Sequence, residues 1–364
     1  MECLFLRGHS LALLARICAR RKGQGIPGEP VGLNRMRGNS WRCGALGRAL
    51  FILALLVAGW VFSQTCWGLC QESPFENGRF WRKNDLAIHY RVWSPENPQR
   101  KILFIHGLGG STFSWRHAPD FLLQEEYCIV AVDLPGFGYS QRVTGRYLKA
   151  EEQARLLLNF LEFLDATSVP GNLSRDRWYL VGHSMGGKIA FLMAMEKSEI
   201  FSGVILVDAA FRGPSFRLLR VFTTFPLARG CWTTLIRTLF LSPSRIHRSL
   251  ARAYGWEPTA EEVEGYLEPL RIPGTARSLL SLLNHTSSLK LVAFSGRPHP
   301  PFLLVWGEND CFVSVKQGKR LQKIFPETPL VVISGAAHCP METHPEEFYR
   351  IVVDFCNMQD LPPD

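Results

Sequence analysis

Acidic residues are scarce where this chain begins. Residues 1–48 hold nine Lys/Arg against two Asp/Glu, whereas the remaining 316 carry 32 basic and 30 acidic side chains, so most of the formal charge of +9 sits in a leader. A nucleic-acid binder spreads its positive field over the folded domain, and this nearly neutral body does not, so nucleic acid is set aside as a partner. A C-x-x-C pair is also missing from the ten cysteines, which removes a zinc ribbon and a thioredoxin-type redox site. Five cysteines fall in the first 70 residues and five (Cys128, Cys231, Cys311, Cys339, Cys356) are scattered through the rest. That is no disulfide scaffold, and isolated cysteines usually behave as buried hydrophobes. With 46% apolar and 20% charged residues over 364 positions, the composition is that of a globular chain and excludes a polytopic membrane bundle.

One uncharged stretch stands out, residues 49–71, strongly apolar over the 14 residues Ala49–Phe62. A helix needs about 20 residues to cross a bilayer, so the whole stretch is long enough although its apolar part is not. Arg35, Arg37, Arg42 and Arg48 precede it and Glu72 follows. That asymmetry predicts a single-pass protein with its amino end in the cytoplasm and its main domain on the far side. Trp60, Phe62 and Trp67 crowd the place where a cleavage site wants small residues, which favours a retained signal anchor over a cleaved secretory signal that starts at Met36. The Gly- and Arg-rich residues 1–48 are expected to form a disordered leader.

From about residue 74 a periodic pattern begins. Leu86–Trp93 alternates as a half-buried strand does, and continuous apolar runs follow at Lys101–His106, Tyr127–Val132, Trp178–Val181, Gly203–Val207, Phe302–Trp306 and Pro329–Ile333. Between them Glu151–Leu164, Met185–Met195 and Pro345–Phe355 repeat apolar residues at helical spacing. Short apolar strands that alternate with amphipathic helices predict an α/β fold, a mostly parallel sheet with helices on both faces. The predicted core covers residues 74–210 and 299–364. Residues 211–298 interrupt it without a convincing strand and read as an inserted helical cap, because a structureless loop of that length is rare.

The chemistry-bearing residues follow strand ends, where such sheets carry their reactive groups. Gly182-His183-Ser184-Met185-Gly186 lies between a strand and a helix. A serine on so sharp a turn needs neighbours without side chains on both sides. Its hydroxyl also needs a base, held by a third group. His338, just past the last strand, is the candidate base; Asp310, past the strand that ends at Trp306, is the candidate acid, with Asp208 as the other strand-end carboxylate. A tetrahedral oxyanion needs two donors, for which the backbone N–H groups of Met185 and Leu108 are placed. Asp133 and His106 read as structural. Residues 212–252 hold eight arginines and no acid, interleaved with bulky apolar residues. This pattern reads either as a surface for anionic lipid or as arginine stems packed on the core with wet heads.

On His106-Gly107-Leu108-Gly109-Gly110, Asp133–Ser140, Gly182–Gly187, Gly307–Asp310 and Gly335–His338, the chain from about Pro74 onward resembles the α/β-hydrolase fold family with a helical cap. The resemblance implies a Ser184–Asp310–His338 triad with Leu108 and Met185 as oxyanion hole, and no metal or organic cofactor. Serine at 184 is similar to the esterase, lipase, thioesterase and carbon–carbon-bond hydrolase branches, whereas epoxide hydrolases and haloalkane dehalogenases carry aspartate there. Ser314 stands where the family often has proline. The function implied is a membrane-associated serine hydrolase that acts on a small-molecule or lipid carboxylic ester or thioester with an apolar acyl group. The alternatives are a carbon–carbon-bond hydrolase, an acyltransferase or a non-catalytic ligand-binding protein. The membrane contact is expected through residues 49–71 and the basic cap.

Overall fold

The structure, a computed structural model, describes residues 72–167, 177–212, 235, 236, 238 and 241–361. Eight strands form one sheet: β1 (Gly78–Lys83), β2 (Leu86–Trp93), β3 (Arg100–Ile105), β4 (Tyr127–Val132), β5 (Trp178–His183), β6 (Phe201–Val207), β7 (Phe302–Gly307) and β8 (Leu330–Ile333). Their order is β1-β2-β4-β3-β5-β6-β7-β8. The pairs β1/β2 and β2/β4 are antiparallel and the other pairs are parallel. The helices outside the β6–β7 connection are α1 (Ala118–Leu122), α2 (Ala150–Ala166), α3 (Met185–Glu196), α7 (Lys316–Ile324), α8 (Pro340–Thr343) and α9 (Pro345–Asp360); α4 (Pro243–Tyr254), α5 (Ala260–Leu270) and α6 (Thr275–His285) lie within it.

The sheet is mostly parallel because its strands are apolar on both sides. Strands β4, β5 and β7 are buried at every position. Alternate side chains of β3 enter opposite cores: Leu103 and Ile105 join one packed by α2 and α3, while Ile102 and Phe104 join another packed by α1 and α9. Strand β1 and helix α7 are among the elements that escape the periodicity. Strand β1, GRFWRK, buries only Trp81, and its Arg79, Arg82 and Lys83 suit a sheet edge that must not pair further. Helix α7, KQGKRLQKI, buries only Gly318 and Leu321. Both are too polar to register as apolar runs. Cys128, Cys311, Cys339 and Cys356 are free thiols.

One expectation is corrected. No helix among the described residues is long and apolar enough to cross a membrane, which overturns the reading of a transmembrane, signal-anchored protein with its catalytic domain across a bilayer. The segment on which that reading fell, residues 49–71, lies outside the described residues, as does the leader before it. The physical reason is length: its strongly apolar part is 14 residues, short of the about 20 a span requires.

Among the described residues between β6 and β7 there is no strand. Helices α4 and α5 are tied to the core through a buried polar cluster. Glu342 of α8 pairs with Arg116, which follows β3, and accepts from the hydroxyls of Tyr254 in α4 (2.7 Å) and Tyr266 in α5. Arg116 also reaches Glu262 of α5 at 3.1 Å. Farther along, Arg142 donates to the Pro269 carbonyl at 2.6 Å and to Thr275 Oγ1 at 2.7 Å. Removing one partner of a buried pair leaves the other charge uncompensated. Glu342→Gln is therefore expected to cost about 3 kcal/mol in urea unfolding. Glu264→Gln, which breaks the half-exposed pair with Arg271, should cost under about 1 kcal/mol. Equal losses would refute the cluster's structural role.

Candidate active site

Between β5 and α3 the backbone turns so sharply that Ser184 sits at φ 51° and ψ −112°, a region that costs a non-glycine residue about 1–3 kcal/mol. Neighbouring bonds hold it there. The Ser184 N–H donates to the Val207 carbonyl at 2.8 Å, and the Ser184 carbonyl accepts from Gly187 at 3.1 Å and Ala210 at 2.9 Å. The flanking glycines are required by close approach: a Cβ at Gly186 would lie 2.4 Å from the Ile105 carbonyl oxygen, and one at Gly182 would lie 2.5 Å from that of Gly186.

The structure brings the three expected side chains together. His338 Nε2 lies 3.1 Å from Ser184 Oγ, and His338 Nδ1 lies 2.7 Å from Asp310 Oδ2. Asp310 Oδ1 accepts backbone N–H groups from Phe312 at 2.7 Å and Val313 at 2.9 Å. Burial alone would raise the Asp310 pKa, but the bond to His338, the charge there and the two N–H groups outweigh it and hold the carboxyl below its ordinary range. An ionised Asp310 only accepts, so His338 has an N–H on Nδ1; in the neutral ring that leaves Nε2 as the acceptor facing the serine hydroxyl.

The backbone of His338 is clamped from two sides. Its N–H donates to the Ala253 carbonyl of α4 at 2.8 Å. Its carbonyl accepts from His183 Nε2 at 2.7 Å. His183 is buried, and burial together with the neighbouring His338 lowers its pKa to about 3. It is therefore neutral and can present one fixed N–H. A Cβ at Gly307 would come 1.8 Å from the Ala337 carbonyl oxygen, so only glycine lets the loops that carry Asp310 and His338 meet. Spacing reasoning missed His183 and Ala253, since it used the glycines and the serine of the turn and gave no role to the residue between them.

His106 and Asp133 act as supports. His106 Nε2 accepts the Leu134 N–H at 2.9 Å, so its Nδ1–H donates to the Gly107 carbonyl at 2.7 Å. In a planar trans peptide this turns the Leu108 N–H the opposite way. Asp133 accepts from His89 at 2.8 Å and from the Tyr139 N–H at 2.8 Å, closing its turn. Leu108, Ser184 and Met185 line a cavity of about 140 Å³ with Leu148, Ile189 and Leu282. Met185 opens α3, where a first-turn N–H has no partner inside the helix.

Asp208, the other strand-end carboxylate, lies behind the histidine. It stands at φ 44°. Its Oδ1 accepts the Gly307 N–H at 3.0 Å, while its Oδ2 is buried without a hydrogen-bond partner. Burial and the Asp310 carboxylate push its pKa well above the ordinary range, so the second carboxyl is neutral where the first is charged. One ligand-type atom each from His183, Asp208 and His338 lies within 4.8 Å of the others. Both His338 nitrogens and the His183 Nε2–H are already committed to the bonds above, and a neutral Asp208 is a poor metal ligand. The pKa shift fixes the sign of a pH effect. The folded state holds the Asp208 proton more tightly than the unfolded one, so above the unfolded value, about 3.9, this group lowers stability as pH rises toward its folded pKa. Asparagine is neutral at every pH. The stability of Asp208→Asn relative to the wild type, read by urea unfolding, should therefore increase from pH 5 to pH 8. A difference that stays flat or shrinks would show that Asp208 is ionised in the fold.

Residues 102–351 match the model of the alpha/beta hydrolase family. The chain is similar to the uncharacterized hydrolase YugF of Bacillus subtilis, 28% identical over 274 residues that cover 74% of this chain and 94% of that one. It is also similar to the 2-hydroxy-6-oxononadienedioate/2-hydroxy-6-oxononatrienedioate hydrolase of Burkholderia vietnamiensis, 25% identical over 283 residues, 74% of this chain and 91% of that one. Among solved structures, a thermophilic esterase from Thermogutta terrifontis superposes with a TM-score of 0.59 at 22% identity, over 76% of this chain and 95% of that one. With the doubly covered parallel sheet and the strand-end loops described above, these matches establish that the chain belongs to the alpha/beta hydrolase family and is a hydrolase of that fold.

Proposed function

We propose that this hydrolase cleaves a carboxylic ester or thioester with a largely apolar acyl part, with Ser184 as nucleophile. The observation that carries the reading is the contact of 3.1 Å between Ser184 Oγ and His338 Nε2, backed by the bond of 2.7 Å from His338 to Asp310. In this scheme Ser184 Oγ attacks the carbonyl carbon while its proton passes to His338 Nε2. Asp310 stabilises the imidazolium. The N–H groups of Leu108 and Met185 receive the oxyanion. His338 then gives the proton to the departing alcohol or thiol, and water releases the acyl group by the same route in reverse. The acyl part is assigned to the cavity walled by Leu108, Leu148, Ile189 and Leu282. Residues 211–298 are assigned the role of a cap over the site, with Leu282, Leu283 and His285 of α6 as its lining.

A hydroxyl nucleophile supports acyl transfer over displacement at a haloalkane or epoxide carbon, which would leave a stable ether on serine. A second reading, carbon–carbon-bond hydrolysis by the same three residues, is favoured by the similarity to the Burkholderia hydrolase. A panel of neutral esters, thioesters and vinylogous diketones separates the two. A fluorophosphonate probe should label the wild type and leave Ser184→Ala unlabelled. His338→Ala should lower kcat for a 4-nitrophenyl ester by about 10⁴-fold with an unchanged far-UV CD spectrum. Undiminished turnover in His338→Ala would end this assignment of the base.

A further inference from the structure

The cavity beside Ser184 has a polar side that ester cleavage does not use. Lys188, in the first turn of α3 and four residues after Ser184, lines it together with Ser184. Lys188 is only 7% exposed. Its Nζ donates to a neutral acceptor, the Ser287 carbonyl, at 2.6 Å. Arg212 and His285 line the same cavity, and none of its lining residues is Asp or Glu.

A lysine buried to this degree normally has a carboxylate against it. Here no ion pair to Lys188 or Arg212 occurs among the described residues. Glu151 is the acid whose field reaches Lys188, too weakly to offset burial, which lowers the lysine's pKa. The sequence closes a further route to neutralisation, because residues 212–252 contain no acidic residue at all. The buried Lys188 and the exposed Arg212 therefore line a largely apolar cavity beside Ser184, with no Asp or Glu among its described lining residues.

We propose that this cavity recognises a carboxylate in the acyl half of the substrate, so that the hydrolase acts on esters or thioesters of dicarboxylic half-acids. Lys188 is the buried anchor for that carboxylate, and Arg212 is the outer cation that draws it in. The assignment rests on Ser184 as nucleophile and on the cavity as acyl pocket. It goes further by naming the charge that the far end of the acyl chain must carry.

The test compares a matched pair, mono-4-nitrophenyl adipate and its neutral methyl ester. The wild type should show kcat/KM at least about tenfold higher for the anionic member, as a charge-assisted hydrogen bond predicts. In Lys188→Met that ratio should fall to one or below, chiefly through KM, and Arg212→Gln should reduce it in part. A wild-type ratio of one or less, or a ratio that survives both substitutions, overturns the proposal. Should Lys188→Met fail to fold, Arg212→Gln decides alone. Calorimetry with Ser184→Ala, which needs no turnover, separates the two layers of the argument. Tighter binding of monomethyl adipate than of dimethyl adipate supports the anion site even if no ester is hydrolysed, and equal binding refutes it. Absence of fluorophosphonate labelling in the wild type instead counts against the serine-hydrolase reading.

Discussion

The bond between a backbone N–H of one residue and the carbonyl of a helix in the β6–β7 connection sets the rest of the site. His338 is carried by a loop without regular structure, and a free loop would not hold an imidazole against both a serine and a carboxylate. Its N–H is fixed by Ala253 and its carbonyl by His183, so the ring enters from a backbone with little freedom left. The residues on either side of Ala253 extend the contact. Arg252 lies over the Phe312 ring at 5.2 Å, and Phe312 packs 5.2 Å from the His338 ring. Tyr254 donates to Glu342. Three consecutive residues of α4 thus brace His338 and its surroundings, and this helix is as much part of the candidate site as the sheet is.

A second constraint is electrostatic. Two strand-end carboxyls, Asp208 and Asp310, lie close enough to influence one another within a buried volume, and both cannot be charged without a large penalty. Their surroundings separate them. Asp310 receives two backbone N–H groups and the His338 Nδ1–H, while Asp208 receives one N–H and keeps an unpartnered oxygen. Charge follows donors, so the histidine faces one anion. A fixed anion on one side keeps an N–H on Nδ1, so that Nε2 is the nitrogen that faces the Ser184 hydroxyl.

Much of this could be read from the order of residues. Six apolar runs and one alternating segment marked seven of the eight strands, and the glycines around Ser184 marked the sharp turn because their absence of a side chain is visible in the sequence itself. Asp310 and His338 were legible as polar residues that directly follow a strand. What could not be read depends on distances between elements far apart in the chain. His183 has no sequence signal that distinguishes it from any residue between Gly182 and Ser184, and its role comes from a carbonyl 155 positions away. Strand β1 and helix α7 escaped because each buries a single side chain, Trp81 and Leu321, and periodicity reports burial, not hydrogen bonding. The apolar stretch at 49–71 misled for a related reason: lack of charge was counted as length, whereas a span needs continuous apolarity.

Arg212, the first residue of the acid-free run after β6, lines the cavity. Arginines on an exposed face need no counter-ion, because water screens them, and Arg252 meets an aromatic ring instead of an acid. Lys188 has no such recourse. It is held in a wall where water is scarce, satisfied by one carbonyl, and a lysine that served only to fix Ser287 could be replaced by an uncharged donor at lower cost in desolvation. A buried charge kept without an acidic partner among the described residues is stable only if its cost is offset elsewhere in the fold, and it becomes useful only when something else brings the opposite charge. On the proposed reading, in which the cavity opens on Ser184 as nucleophile, the molecule that brings that charge is the substrate.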